Sequence, residues 1–240
     1  MDEIKKLLSA LKLLGMSETI ENRIEQARES DWSIQECLLI LLQDECQYRQ
    51  AKGLARRIRD AKFEEEKVFE NLDLKRYSEK IRKSIRDLKS GGYLKQHQHV
   101  ILLGLTGTGK THLAQALGHE ACRNGYSVCF IRASRLFRAF KASRADHRWE
   151  RTLQRFSKYD LLIIDDFGLS ALDSIQTEDL YELIAERCLK KSMVFTSNRK
   201  VESWVDLFSD PVMGNAALDR VSSGAHHVLL DGPSSRRKRE

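Results

Sequence analysis

Residues 104–111 read GLTGTGKT, and the four residues before them, Val100 to Leu103, are all apolar. A glycine, four residues and then Gly-Lys-Thr, between a short strand and a helical pattern, is the arrangement that grips the phosphates of a nucleoside triphosphate. Gly104, Gly107 and Gly109 let the backbone turn tightly and aim successive N–H groups inward as an anion-binding nest. The following helix points its N-terminal dipole at the same place. Lys110 can reach the β- and γ-phosphates as a point charge, and Thr111 can offer its hydroxyl to Mg²⁺. The expected nucleotide-binding set is Gly104, Thr106, Gly107, Thr108, Gly109, Lys110, Thr111 and His112.

Two further segments end in polar groups able to serve such a site. LLIIDD, residues 161–166, is a buried strand delivering carboxylates at its C-terminal end, where open α/β sheets hold ligands. Asp165 is expected to hold Mg²⁺, directly or through water, and Asp166 to polarise an attacking water. MVFTSN, residues 193–198, is an apolar strand whose terminal Asn198 is placed to orient that water or to touch the γ-phosphate.

The elements that must position these residues are legible in the pattern. Strands are expected at 99–103, 127–131, 160–164, 192–197 and 226–230, with helices at 109–123, 133–157 (broken near 143–147), 174–190 and 201–209. Such alternation predicts a parallel sheet covered on both faces. Residues 1–68 read as helical, a small all-α domain. Gly15 is expected to end its first helix and Ser17 to cap its second, while Ser33 with Glu36 forms a capping box for a long third helix. Residues 69–96 read as a connector with an amphipathic helix (Ile81, Ile85, Leu88) that stops at Gly91-Gly92, and 97–240 as the α/β domain.

Composition narrows the class. The 240 residues are 41% hydrophobic, and no apolar run approaches the ~20 residues of a membrane span. Five scattered cysteines without a Cys-x-x-Cys pair fit a reducing cytoplasm and imply neither disulfides nor zinc. The net charge of +6 is concentrated: residues 132–158 hold nine Lys/Arg against Asp146 and Glu150, a local +7. Arg135, Arg138, Lys141, Arg144, Arg148, Arg151 and Arg155 recur every three or four residues, a helical stripe suited to tracking phosphates of a polyanion such as DNA. A second basic helix (Arg49, Lys52, Arg56, Arg57, Arg59, Lys62) could meet DNA, a protein or water.

The ordered set of motifs resembles the AAA+ ATPases of the initiator and helicase-loader group. End to end, the chain resembles the IstB-type transposition helper ATPases. The resemblance is carried by LKLLGM (11–16), YRQAKGLARRIRDAK (48–62), the stretch from Gly104 to Ala133, LLIIDDFGL (161–169), FTSNR (195–199), Trp204 and DPVMGNAALDRVSSGAHHVLLDG (210–232). It implies an AAA+ P-loop fold with a five-stranded parallel sheet, and an ATPase using ATP and Mg²⁺. It further implies assembly of a homo-oligomer on duplex DNA, with little sequence preference, to assist a cognate transposase. It casts Asn198 as the sensor-1 residue and Arg220 as a finger reaching a neighbouring subunit's nucleotide, and it turns the basic stripe toward the central channel. Lys110, Asp165, Asp166, Asn198 and Arg220 form the implied catalytic set. Asp166 stands where AAA+ proteins usually carry Glu, which implies slow turnover. Only eight residues follow Gly232, so the helical lid is expected to be truncated or absent, and Ser234-Ser235-Arg236 stands where the family has Ser-Tyr-Arg. Two other readings share these residues: a DnaC-like replicative helicase loader, and a nucleotide-switched DNA-binding module with negligible hydrolysis. The basic stripe and the absence of a substrate lid argue against a small-molecule kinase.

Overall fold

A computed structural model describes residues 1–232, which fall into two compact units, Met1–Arg56 and a second from Arg57 onward. The N-terminal unit is helical: α1 (Asp2–Ala10), α2 (Leu14–Glu29) and α3 (Ile34–Ala61). Leu8, Met16, Ile20 and Leu41 form its buried core. The expected capping box is present. Ser33 N donates to Glu36 Oε2 at 2.8 Å, and Glu36 N donates to Ser33 Oγ at 3.2 Å. The expected start of α2 is corrected. Gly15 lies inside α2 rather than ending α1, and Ser17 is not its cap. Instead Glu45, reaching across from α3, accepts from Gly15 N at 2.7 Å and from Met16 N at 3.2 Å. Gly15 is needed for closeness, because a Cβ there would lie 2.6 Å from Tyr48 Cβ. A long-range carboxylate has replaced the local cap that the sequence pattern suggested.

The second unit carries a parallel five-stranded sheet: β1 (Val100–Gly104), β2 (Val128–Arg132), β3 (Leu161–Phe167), β4 (Ser192–Ser197) and β5 (His226–Leu230), ordered β2-β3-β4-β1-β5. Apolar runs in β1, β3 and β4 are buried almost throughout, as strands covered on both faces require. Before the sheet come α4 (Glu79–Lys89) and the short α5 (Gly92–Lys95). Ile81, Ile85 and Leu88 of α4 are buried, and Gly91 takes the left-handed conformation (φ 76°) that ends it. Between strands run α6 (Lys110–Arg123), α7 (Ala133–Ala145), α8 (Trp149–Lys158) and α9 (Ser174–Arg187).

Two elements depart from expectation. Residues Val201–Leu207 form a 3-10 helix rather than an α-helix. A further helix, α10 (Pro211–Ser222), follows it. Its start was encoded: the Asp210 carboxylate accepts from Val212 N at 2.8 Å and Met213 N at 3.3 Å, and Pro211 suits the first helical position. The Ser234, Ser235 and Arg236 expectations lie outside the described residues.

His99 ties three strands together at the start of β1. Its Nδ1 accepts from Met193 N at 3.1 Å, and its carbonyl accepts from His226 N at 2.9 Å. Burial, with the nearby Arg187 charge, pushes the imidazole down to about 4. The unfolded chain protonates this group near pH 6.5, so the unfolded state takes up the proton first as pH falls. The contribution is complete above pH 6.5 and lost as pH drops toward 4, amounting to about 3 kcal/mol. Urea titrations at pH 7 and pH 4.5 should show this loss, and His99→Gln should flatten the dependence.

Candidate nucleotide and nucleic-acid sites

The C-terminal ends of β1, β3 and β4 lie side by side on one edge of the sheet, and each delivers part of the site. After β1 the loop turns through three glycines with positive φ: Gly104 at 146°, Gly107 at 86° and Gly109 at 97°. A Cβ at Gly104 would collide with Leu230 O of the neighbouring β5. Lys110 is almost fully buried, and its Nζ lies 2.8 Å from Gly104 O and 2.9 Å from Leu105 O, inside the curve of the loop. Thr106 Oγ1 accepts from Asn198 Nδ2 at 3.3 Å, so the end of β4 meets the phosphate loop as the sequence reading requires. Thr108 turns its hydroxyl to Leu105 O at 2.9 Å. The ring of His112 faces away, with Nε2 at 3.0 Å from Val68 O, which leaves its backbone at the helix N-terminus as the part able to serve an anion.

Asp165 sits at the bottom of this crevice with no exposed surface. Thr196 Oγ1 donates to its Oδ1 at 2.6 Å, and the Thr111 hydroxyl lies 3.0 and 3.1 Å from its two oxygens. Burial raises the carboxyl above its ordinary range. The Thr196 hydrogen bond opposes the rise, and the negative charge of Asp166 adds to it. Such a carboxylate, beside a hydroxyl, suits a hard cation that would restore its charged form. Among the described residues no group of three or more His, Cys, Asp or Glu could hold a metal on its own.

Asp166 adopts φ 56°, a left-handed conformation for which Asp is among the better-suited residues. The sheet register shifts between Ile164 and Phe167 at this point. Its N–H donates to Thr196 Oγ1 at 2.9 Å, so one hydroxyl orders both acids. Sequence reasoning placed Thr196 at the end of its strand but assigned it no role. A hydroxyl one residue before the terminal Ser-Asn pair was the available signal. Arg220 on α10 lies elsewhere in the chain's own contacts: its guanidinium stacks over the Tyr181 ring at 5.0 Å and Nη1 lies 3.4 Å from Ala216 O.

The basic segment is divided rather than forming one aligned stripe. The helix break falls at residues 146–148, where His147 takes φ 53°. Arg144 is committed to the buried Asp179 of α9, donating Nε at 2.9 Å and Nη2 at 2.7 Å to Oδ1, which also accepts from Trp149 Nε1 at 2.6 Å. Arg135 pairs with Glu64 at 3.4 Å. Arg138 and Lys141 are exposed on α7. Arg148, Arg151 and Arg155, joined by Lys158, line one groove between α7 and α8, with Asp146 as the acid among its lining residues. Beneath α8, the fully buried Arg187 donates Nη1 to Phe156 O, Ser157 O and Tyr159 O at 2.8, 3.2 and 2.8 Å, and Nη2 to Ser192 O at 2.6 Å. Burial lowers it to about 10, so it remains a cation at neutral pH.

Comparison with known proteins agrees with this geometry. Residues 6–240 match the family model described as IstB-like ATP binding protein. The chain belongs to the IstB-like ATP-binding family. It is 38% identical over 238 residues to an insertion-sequence ATP-binding protein of Mycobacterium tuberculosis, covering 98% of this chain and 95% of that one. It is 33% identical to the IS21 ATP-binding protein of Pseudomonas aeruginosa, covering 99% and 90%. Among solved structures the fold resembles that of DnaI, with TM-score 0.61 at 22% identity over 69% of this chain and 91% of that one. It also resembles replication initiator DnaA bound to AMPPCP and single-stranded DNA, with TM-score 0.59 at 20% identity over 74% and 53%. The family and fold together make this an ATP-binding protein of AAA+ architecture. Among the described residues no helix is long and apolar enough to cross a membrane.

Removing the acceptor shared by Arg144 and Trp149 leaves the half-exposed Arg144 with Glu178 alone, at 3.4 Å, and the indole N–H unpaired. Asp179→Ala should lower unfolding stability by about 1–3 kcal/mol. The exposed Arg151→Ala should stay within about 0.5 kcal/mol of the parent. Urea denaturation of both variants checks the division of the basic segment into structural and free cations.

Proposed function

We propose that this protein hydrolyses ATP, assembles as a homo-oligomer on duplex DNA and assists the transposase of an insertion sequence, from a cytoplasmic location. The observation that carries the reading is the convergence of Lys110, Thr111, Asp165 and Asn198 on one loop, in a unit that also holds the Arg148–Lys158 groove. The relatives supply the insertion-sequence setting, and the DnaA structure a precedent for DNA on this fold.

The chemistry follows from the chain's own groups. Loop N–H groups and Lys110 bind and neutralise the phosphates. Thr111 and Asp165 would hold Mg²⁺, which supplies further neutralisation of the β- and γ-oxygens when bound. Asp166 and Asn198 are assigned to the attacking water. Arg220, stacked on Tyr181 in its own chain, is assigned to the neighbouring subunit's γ-phosphate, where an arginine can contribute a large rate gain. ATP then joins two subunits, and its hydrolysis loosens the joint. A nucleotide-switched module with negligible turnover is a second reading. It is favoured by the short side chain of Asp166 on its left-handed backbone, and phosphate release with and without duplex DNA separates the two.

Lys110→Ala and Arg220→Ala should each abolish DNA-stimulated phosphate release, while a mixture of the two variants should recover part of it. In the mixed assembly some interfaces pair an intact loop with an intact arginine. Recovery absent from the mixture, with both variants folded, would remove the shared-site reading. Replacing Arg148, Arg151 or Arg155 with Ala should weaken duplex binding and reduce the slope of log K against log salt by about one for each phosphate no longer neutralised. Fluorescence anisotropy across a salt series measures this.

A further inference from the structure

The connector between α3 and α4 reaches the phosphate loop through two side chains that the motif reading did not include. Tyr77 is buried, and its hydroxyl donates to Thr108 O at 2.6 Å. Arg76 Nη2 donates to Gly107 O at 3.3 Å, and its guanidinium lies 5.5 Å from the centre of the Tyr77 ring. A Cβ on Gly109 would collide with Tyr77 Oη, so the hydroxyl is packed directly against the last glycine of the nest.

Every peptide bond in the described chain is trans. In a planar trans unit the carbonyl and the following N–H point in opposite directions. A donor that holds Thr108 O on the outside of the loop therefore turns Gly109 N–H to the inside. A donor on Gly107 O likewise fixes the next peptide, whose Thr108 N–H donates to Leu105 O at 3.3 Å and closes the loop's own turn. Three positive-φ glycines give this loop many alternative peptide orientations. Two consecutive carbonyls fixed from one side remove most of them.

The geometry points to Tyr77 and Arg76 as positioning residues of the nucleotide site. They preset two successive peptide planes of the loop, one whose Thr108 N–H closes the turn on Leu105 O and one whose Gly109 N–H faces the nest, and they do so from the connector rather than from any part of the Gly-x-x-x-x-Gly-Lys-Thr motif. Neither side chain touches the reacting atoms. Their effect is on how much of the loop is already in its binding conformation when nucleotide arrives, and so on affinity.

The test uses the full chain, a fluorescent ATP analogue and its ADP counterpart, with Lys110→Ala as the non-binding reference. Tyr77→Phe keeps the ring and removes only the donor. It should weaken both nucleotides by the same factor, roughly fivefold to tenfold, because both carry the phosphate that the nest amides meet. The unfolding midpoint without nucleotide should stay within about 2 °C of the parent, and under turnover the change should fall on KM rather than kcat. Arg76→Ala should give a smaller loss of the same kind. Affinity within twofold of the parent in Tyr77→Phe would overturn the proposal. So would a loss confined to ATP, or one explained by a matching fall in the melting temperature. Should Tyr77→Phe fail to fold, Arg76→Ala decides alone, and parental affinity there refutes it. Because binding is read directly, absence of hydrolysis would count against the ATPase reading and not against this one.

Discussion

A single buried carboxylate organises the edge of the sheet that carries the phosphate loop. Asp165 has no solvent contact, so each of its oxygens must find a partner within the protein or in what the protein binds. It finds Thr196 from β4 and Thr111 from α6. Those two hydroxyls lock the end of β3 to its neighbour strand and to the helix that follows the phosphate loop. Lys110 is carried to its place because Thr111 is, and Asp166 because Thr196 also accepts its N–H. The constraint is electrostatic before it is functional: a carboxyl at the foot of a crevice demands polar groups around it, and those are the groups the proposed nucleotide site draws on.

Much of this is legible in the chain itself. All five strands start within a residue of where apolar runs predict them, and only β3 runs on, three residues past its expected end, because buried strands leave a clear hydrophobic signature. Gly104, Gly107 and Gly109 take the conformations that only glycine adopts cheaply, so their identity alone announces their geometry. What escapes is long-range. Glu45 capping α2 from 30 residues away has no local pattern. Tyr77 is an ordinary aromatic in a polar connector until the fold brings its hydroxyl to Thr108. Asp210-Pro211, by contrast, carries a readable start signal for α10.

The basic segment shows how charge spacing misleads when tertiary structure is unknown. Arginines every three or four residues predict one face. A helix break and two acids on other elements, Glu64 and Asp179, divide that face into cations that hold the protein together and cations that remain open. The local +7 counted from sequence overstates what is free to meet a polyanion. The groove that remains is smaller and contiguous, and its cations come from α8 and the break before it.

Arg187 gives that groove a mechanical character. One guanidinium holds the carbonyls at the end of α8 and the first carbonyl of β4. β4 is the strand whose far end bears Thr196 and Asn198. The end of α8 is therefore tied through a planar cation directly to a strand rather than to a loop. The lining of the groove and the crevice of the phosphate loop are thereby joined by one helix end, one guanidinium and one strand.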